Sequence, residues 1–260
     1  SSPTNLIDTH LYSPMQLQLY FRAVSHLSDA RFASAAAAEF LGFPWYPSSG
    51  GGISQADYTD IRQWISGPVP VLQITARELP LFAFNPTESA KLGQAEQSAI
   101  SSEMDGRDVP TGMMDFDLNA AQSVAVVPDA LEVTLSSNTP QAVDVRPDCP
   151  IIWKVDAQTR QLPDLFRVDL DYLLLDPSAL LSDSNPQPSP DDLPKNWADL
   201  FGPNRCFLEI PSTMQNPMEW VDRFKPYGVC LSGQAETAVG KRDYSAWQAF
   251  TDLLEEAGLR

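Results

Sequence analysis

Among the charged residues in or beside apolar runs of this 260-residue chain, three stand out: Arg22 in LQLYFRAV, Asp176 at the end of YLLLD, and Glu209 inside CFLEI. A charge so placed either handles a proton or a ligand, or pairs internally, because an isolated buried charge is costly. Other chemistries lack material. His10 and His26 are the two histidines, so a histidine-based metal site or a Ser-His-Asp triad has almost no residues to draw on. No metal and no cofactor are expected. Cys149, Cys206 and Cys230 are odd in number and lack CxxC spacing, and two of them fall in apolar strand-like runs. They read as reduced thiols of a cytoplasmic protein, with Cys206 and Cys230 as inert packing residues rather than a proton acceptor.

Composition narrows the partners. The chain has 34 acidic against 17 basic residues, a formal charge of −17, which argues against nucleic acid because phosphate contacts need clustered Lys and Arg. With 43% hydrophobic and 20% charged residues it belongs among globular chains. No apolar run approaches the ~18 residues that a membrane helix needs, so no membrane is expected. The start at Ser1 shows no basic-then-apolar signal pattern and gives no address. The expected partner is a small molecule or another protein, with the oligomeric state open.

Eight short apolar runs must position these residues: 17–24, 40–46, 69–75, 131–135, 151–155, 172–176, 206–210 and 228–232. Several are separated by helical patterns. A helix is expected over Asp29–Phe40 with Ser28 as its cap. A second spans Ala56–Ile65, with Tyr58, Ile61, Trp64 and Ile65 on its apolar face. The last runs over Asp243–Ala257, capped by Asp243 and burying Trp247, Phe250, Leu254 and Ala257. Eight strands, each with room for a following helix, predict an α/β protein: a (β/α)8 TIM barrel over 17–260, preceded by an extension at 1–16. Residues 76–125 break the rhythm and read as a long insertion between strands 3 and 4, with a short strand at Leu81–Phe84 and a helix near Ala90–Ser101. The acidic loop 182–192 reads as a solvated surface segment.

Fragments in a fixed order resemble the phosphoribosylanthranilate isomerase family. PYGVCLSGQAETAVGKRD at 226–243 is similar to the family's C-terminal strand, turn and helix. Near the start Ser28–Ala30, Leu41–Phe43, Tyr46–Pro47 and Ile53–Ser54 follow in the family's order, and Leu173–Asp176 resembles strand six. The resemblance implies a barrel that converts an aminoaldose to an aminoketose in tryptophan biosynthesis. A strand-one cysteine is the family's base, and a strand-six aspartate its acid.

This chain keeps the acid position as Asp176 but has Arg22 where the thiol belongs, within Tyr20–Ala23. A guanidinium stays protonated and cannot accept the proton. Gly51 stands where the family's carboxylate-binding arginine is expected. Strand seven ends Glu209, Ile210, Pro211, Ser212 in place of a glycine turn, and Asp183, Asp191 and Asp192 occupy the loop after strand six. Only Ser232, Gly233 and Gln234 after strand eight stay near the family's phosphate-loop pattern. With Glu209 they are the candidate ligand-facing residues.

Two function classes stay open. In the first, isomerase activity is lost and the barrel is a non-catalytic binding or assembly protein, its mouth plugged by an internal ion-pair network containing Arg22, Asp176 and Glu209. In the second it is an enzyme, either with altered isomerase or lyase-type chemistry through Asp176 or as a retained isomerase. Arg22 and Asp176 are expected to project from strands one and six and to pair across the barrel.

Overall fold

The computed structural model describes residues 16–46, 51–76, 78–79, 128–135, 149–156, 171–180, 188–193, 197, 200–201, 205–233, 236–238 and 241–260. Eight of its strands form the barrel: β1 Gln18–Phe21, β2 Phe40–Tyr46, β3 Val69–Thr75, β4 Ala130–Thr134, β5 Ile151–Asp156, β6 Tyr172–Asp176, β7 Cys206–Ile210 and β8 Gly228–Leu231. All pair in parallel in chain order, and β1 closes the ring by pairing with both β2 and β8. The fold is a (β/α)8 TIM barrel, as the eight apolar runs predict.

Period-two alternation assigns each strand two faces. One inward residue per strand, Tyr20, Phe40, Val71, Ala130, Ile152, Leu174, Phe207 and Cys230, makes the apolar interior. The outward faces, such as Leu19, Phe21, Leu41, Ile74, Leu208 and Val229, pack in one core with the helices. These are α1 Leu27–Ala35, α2 Gln55–Trp64, α3 Pro217–Phe224 and α4 Ser245–Glu256. Burial on both faces explains why the strands read as near-continuous apolar runs.

Helix boundaries depart from expectation for local reasons. Helix α1 starts one residue before Ser28, because the Asp29 carboxylate accepts the Ser25 and His26 N–H groups. It also stops at Ala35, well short of Phe40; Ala37 adopts a left-handed φ of 52° and Phe40 opens β2. In α2 Ser54 is the cap, and Tyr58 and Ile61 are buried as expected. Trp64 is not: it is 68% exposed in the last turn, and Ile65 is already extended. Helix α4 begins after Tyr244 rather than Asp243, whose carboxylate accepts the Ser245 N–H. It buries Trp247, Phe250, Thr251 and Leu254, whereas Ala257 lies past its end.

Residues 1–15, Leu81–Phe84, Ala90–Ser101 and nearly all of 76–125 lie outside the described residues, as do Asp183 and Gln234. Of the acidic loop, Pro190–Asp192 forms a 3-10 turn, with the Ser189 hydroxyl accepting the Asp191 N–H. Among the described residues no helix is long and apolar enough to cross a membrane.

Candidate functional site

Two residues beyond each member of the apolar interior layer, every strand or strand end contributes the next inward position: Arg22, Gly42, Gln73, Glu132, Lys154, Asp176, Glu209 and Ser232. Alternation places these residues in one layer at the C-terminal face, where TIM-barrel enzymes hold their active sites. Five are ionisable. Glu132 is fully buried and Glu209 is 4% exposed. The side chains of Arg22, Lys154 and Asp176 are 11%, 12% and 13% exposed.

Arg22 is the hub. Its Nε and Nη2 donate to the two oxygens of Glu132 at 2.8 and 2.6 Å, a bidentate fork. Its Nη1 donates to both oxygens of Glu209 at 3.0 and 3.1 Å. Lys154 bridges the far side, with Nζ 2.8 Å from both Glu209 and Asp176. The Ser232 hydroxyl donates to Glu209. Tyr20 donates its hydroxyl to Glu132 at 2.6 Å from the layer below, and the Gln73 amide donates to the same oxygen at 3.2 Å.

The turn after β1 aims the guanidinium. Arg22 N donates to Leu231 O, continuing the ladder with β8 past the end of β1. Ala23 then adopts a left-handed φ of 54°, and its N–H is held by Gln73 Oε1 at 2.9 Å. Gly42 is where the layer leaves room, since a Cβ there would lie 2.6 Å from the Tyr20 hydroxyl oxygen and 3.0 Å from Gln73 Cδ.

Proton affinities follow from these contacts. Burial alone would raise the Glu132 carboxyl, but the Arg22 charge and hydrogen bonds outweigh it and hold the group below its ordinary value. Asp176 behaves likewise: burial opposes ionisation, and Lys154 with the Ser178 hydrogen bonds overcomes it. Burial and Arg22 push Lys154 down, yet Glu209, Asp176 and Glu132 together raise it. Burial, reinforced by Glu132, lifts the Tyr20 phenol well above its usual range. Arg22 and Lys154 thus hold Glu132 and Asp176 ionised within one paired layer.

The expected constellation of Arg22, Asp176 and Glu209 is thus brought together, but the expected pairing of Arg22 with Asp176 is not found. Going round the ring from β1 the order is β8, β7, β6, so Glu209 on β7 lies between them. Arg22 is taken up by Glu209 and Glu132, while Asp176 is taken by Lys154 on the adjacent β5. Glu132, Lys154, Gln73 and Tyr20 are additional members, unanticipated in sequence.

Ser232 has its hydroxyl and its carbonyl engaged, since the carbonyl accepts the Trp247 indole N–H at 3.0 Å. Gly233 serves packing: a Cβ there would lie 2.7 Å from Ala23 O. Gly51 pairs antiparallel with Tyr46, so the loop after β2 folds back on its own strand. After β7 the chain turns with Met214 N donating to Pro211 O. Cys206 and Cys230 are buried, and burial raises both thiols, so neither offers a thiolate.

Fold and site together define a TIM barrel whose C-terminal mouth is filled by a paired charged layer. Solved structures similar to it are phosphoribosyl anthranilate isomerases. The Thermus thermophilus structure superposes with a TM-score of 0.54 at 19% identity, over 94% of this chain and all of that one. The Thermotoga maritima structure gives 0.53 at 16%, over 93% and 99%, and the Thermococcus kodakaraensis structure 0.51 at 13%, over 92% and 98%. The chain shares their barrel fold. No protein-family model and no curated protein sequence matches it.

Proposed function

We propose that this chain is a phosphoribosylanthranilate isomerase-like barrel that no longer isomerises and acts as a non-catalytic binding or assembly protein. One observation carries the reading: Arg22, which the sequence resemblance puts at the position of the family's base, makes four hydrogen bonds to Glu132 and Glu209. It can neither accept a proton nor leave without exposing two buried carboxylates. Asp176, at the acid position, is held ionised by Lys154 and so is a poor proton donor near neutral pH.

The deciding experiment incubates purified protein with fluorescent phosphoribosylanthranilate and follows its consumption. In parallel, the gene is tested for rescue of a tryptophan auxotroph lacking the isomerase. No turnover and no rescue are expected. Turnover abolished by Asp176→Ala would overturn this reading in favour of an enzyme.

A further inference from the structure

A second concavity lies outside the mouth. The outward residues Ile210 of β7 and Leu231 of β8, with Met214 from the following turn and Trp247, Ala249 and Leu253 of α4, enclose a half-open groove of about 220 Å³. Ile210 and Leu231 belong to the outer core, on the opposite strand face from Glu209 and Cys230. The groove therefore lies mainly on the outer strand face and meets the charged layer at Ser232, which lines it.

We propose that this groove binds a small, uncharged aromatic molecule, of one ring with a short polar substituent. Size sets the first limit, because drug-sized ligands occupy pockets from roughly 300 Å³ upward. Charge sets the second: none of the described lining residues is ionisable, so a charged ligand would lose hydration without gaining a partner. Ser232, the one member of the mouth layer that lines the groove, already donates its hydroxyl to Glu209.

The walls set the third. Trp247, which lines the groove although only 2% exposed, is fixed by its bond to Ser232 O and by packing against Phe21, Phe32 and Tyr244, so the wall it supplies is aromatic and rigid. Met214 supplies a polarisable sulfur that suits a ring edge. Ser212 and Gln215 are exposed at the rim, where a hydroxyl or amide can meet the substituent. A phosphate is disfavoured by the same turn, since Pro211 has no N–H and the Met214 N–H is taken by Pro211 O.

The inference does not depend on whether the mouth is catalytic, and its test leaves isomerase activity aside. The 260-residue chain is titrated with three probes of one shape, benzyl alcohol, benzoate and benzylamine, followed by ligand-observed NMR. Saturable benzyl alcohol binding is expected, at least tenfold tighter than either charged probe. Ala249→Leu, at an exposed helical position, should fill the groove and weaken that binding at least tenfold with an unchanged melting temperature. Leu253→Ser supplies an independent lining variant that should also weaken it. The proposal is overturned by no saturable binding up to the solubility limit, by equal binding of a charged probe, or by displacement with inorganic phosphate. It is equally overturned if both folded variants bind as the parent does.

Discussion

Arg22 and Glu132 extend from β1 and β4, three strands apart around the eight-stranded ring, and meet in a two-pronged pair with contacts of 2.6 and 2.8 Å. The guanidinium thus spans the interior at the mouth. Both partners are buried, so the pair's net contribution to stability is modest, but removing one partner leaves a lone buried charge and costs about 3–5 kcal/mol. Arg22→Met should therefore lower stability in urea denaturation by several kcal/mol. Arg22→Met combined with Glu132→Gln should recover part of that loss, because one unpaired carboxylate is gone. A single variant as stable as the parent would show that the pair is not desolvated as described.

Stability should fall on both sides of a broad plateau in pH. Asp176 and Glu132 have folded values below their unfolded ones, so their contribution is complete above the ordinary carboxylate range of ~4–4.5 and is lost as pH falls through the depressed folded values. Lys154 and Tyr20 are raised. Their contribution is complete below ~10 and is lost as pH rises through the elevated folded values. Denaturant titrations across pH should show both limbs, and Asp176→Asn should shrink the acid limb and also reduce the Lys154 part of the alkaline one, since Asp176 helps raise Lys154. An Asp176 carboxyl titrating above pH 6 by NMR would contradict the Lys154 pairing.

The turn that aims Arg22 carries strain that one substitution can test. Ala23 adopts φ 54°, and a left-handed residue bearing a Cβ costs roughly 1–2 kcal/mol, partly offset by the extra unfolded-state freedom of glycine. Ala23→Gly should accordingly be neutral to stabilising by about 1 kcal/mol. Gly42→Ala should do the opposite and destabilise by at least ~1–3 kcal/mol, because its Cβ would displace the Tyr20 hydroxyl or Gln73 from Glu132. Equal effects of the two changes on melting temperature would refute this account of the turn.

The barrel was legible in sequence because both faces of every strand are buried, which leaves eight apolar runs of the right length. The mouth was legible only in part. Arg22, Asp176 and Glu209 stand out as charges in apolar surroundings, yet Glu132 in ALEVT and Lys154 in IIWKVD carry the same mark. Counting two residues on from Tyr20, Ala130 and Ile152 would have found Arg22, Glu132 and Lys154 together. Partner choice was not legible, because it depends on ring order and on which side chains reach across. Helix ends depart from the apolar pattern where a single carboxylate such as Asp29, or the left-handed Ala37, overrides it.

Buried thiols give a further check on the closed interior. Cys206 and Cys230 are fully buried, and Cys230 lies two residues before Ser232 beneath the charged layer. In native protein both should resist a thiol reagent at neutral pH and react only at the rate of global opening. Rapid modification of Cys230 in the folded state would show that the layer admits solvent, and would reopen the case for a relocated base.

Placing a thiol at position 22 should not confer isomerase activity. Arg22→Cys places a potential base on β1, but it also strips Glu132 and Glu209 of their shared cation. Two carboxylates then face the thiol, and like charges raise its proton affinity further, as burial and Glu209 already do for Cys230. A positioned base contributes ~10²–10⁴-fold when its protonation state is correct. Here it would be predominantly protonated near neutral pH. Gly51 and Pro211 remain where the carboxylate and phosphate contacts are expected, so substrate positioning would stay deficient as well. Arg22→Cys should therefore show no phosphoribosylanthranilate turnover above the parent. A rise of tenfold or more in kcat/KM from this one change would establish that the rest of the site is intact, and that Arg22 alone silences it.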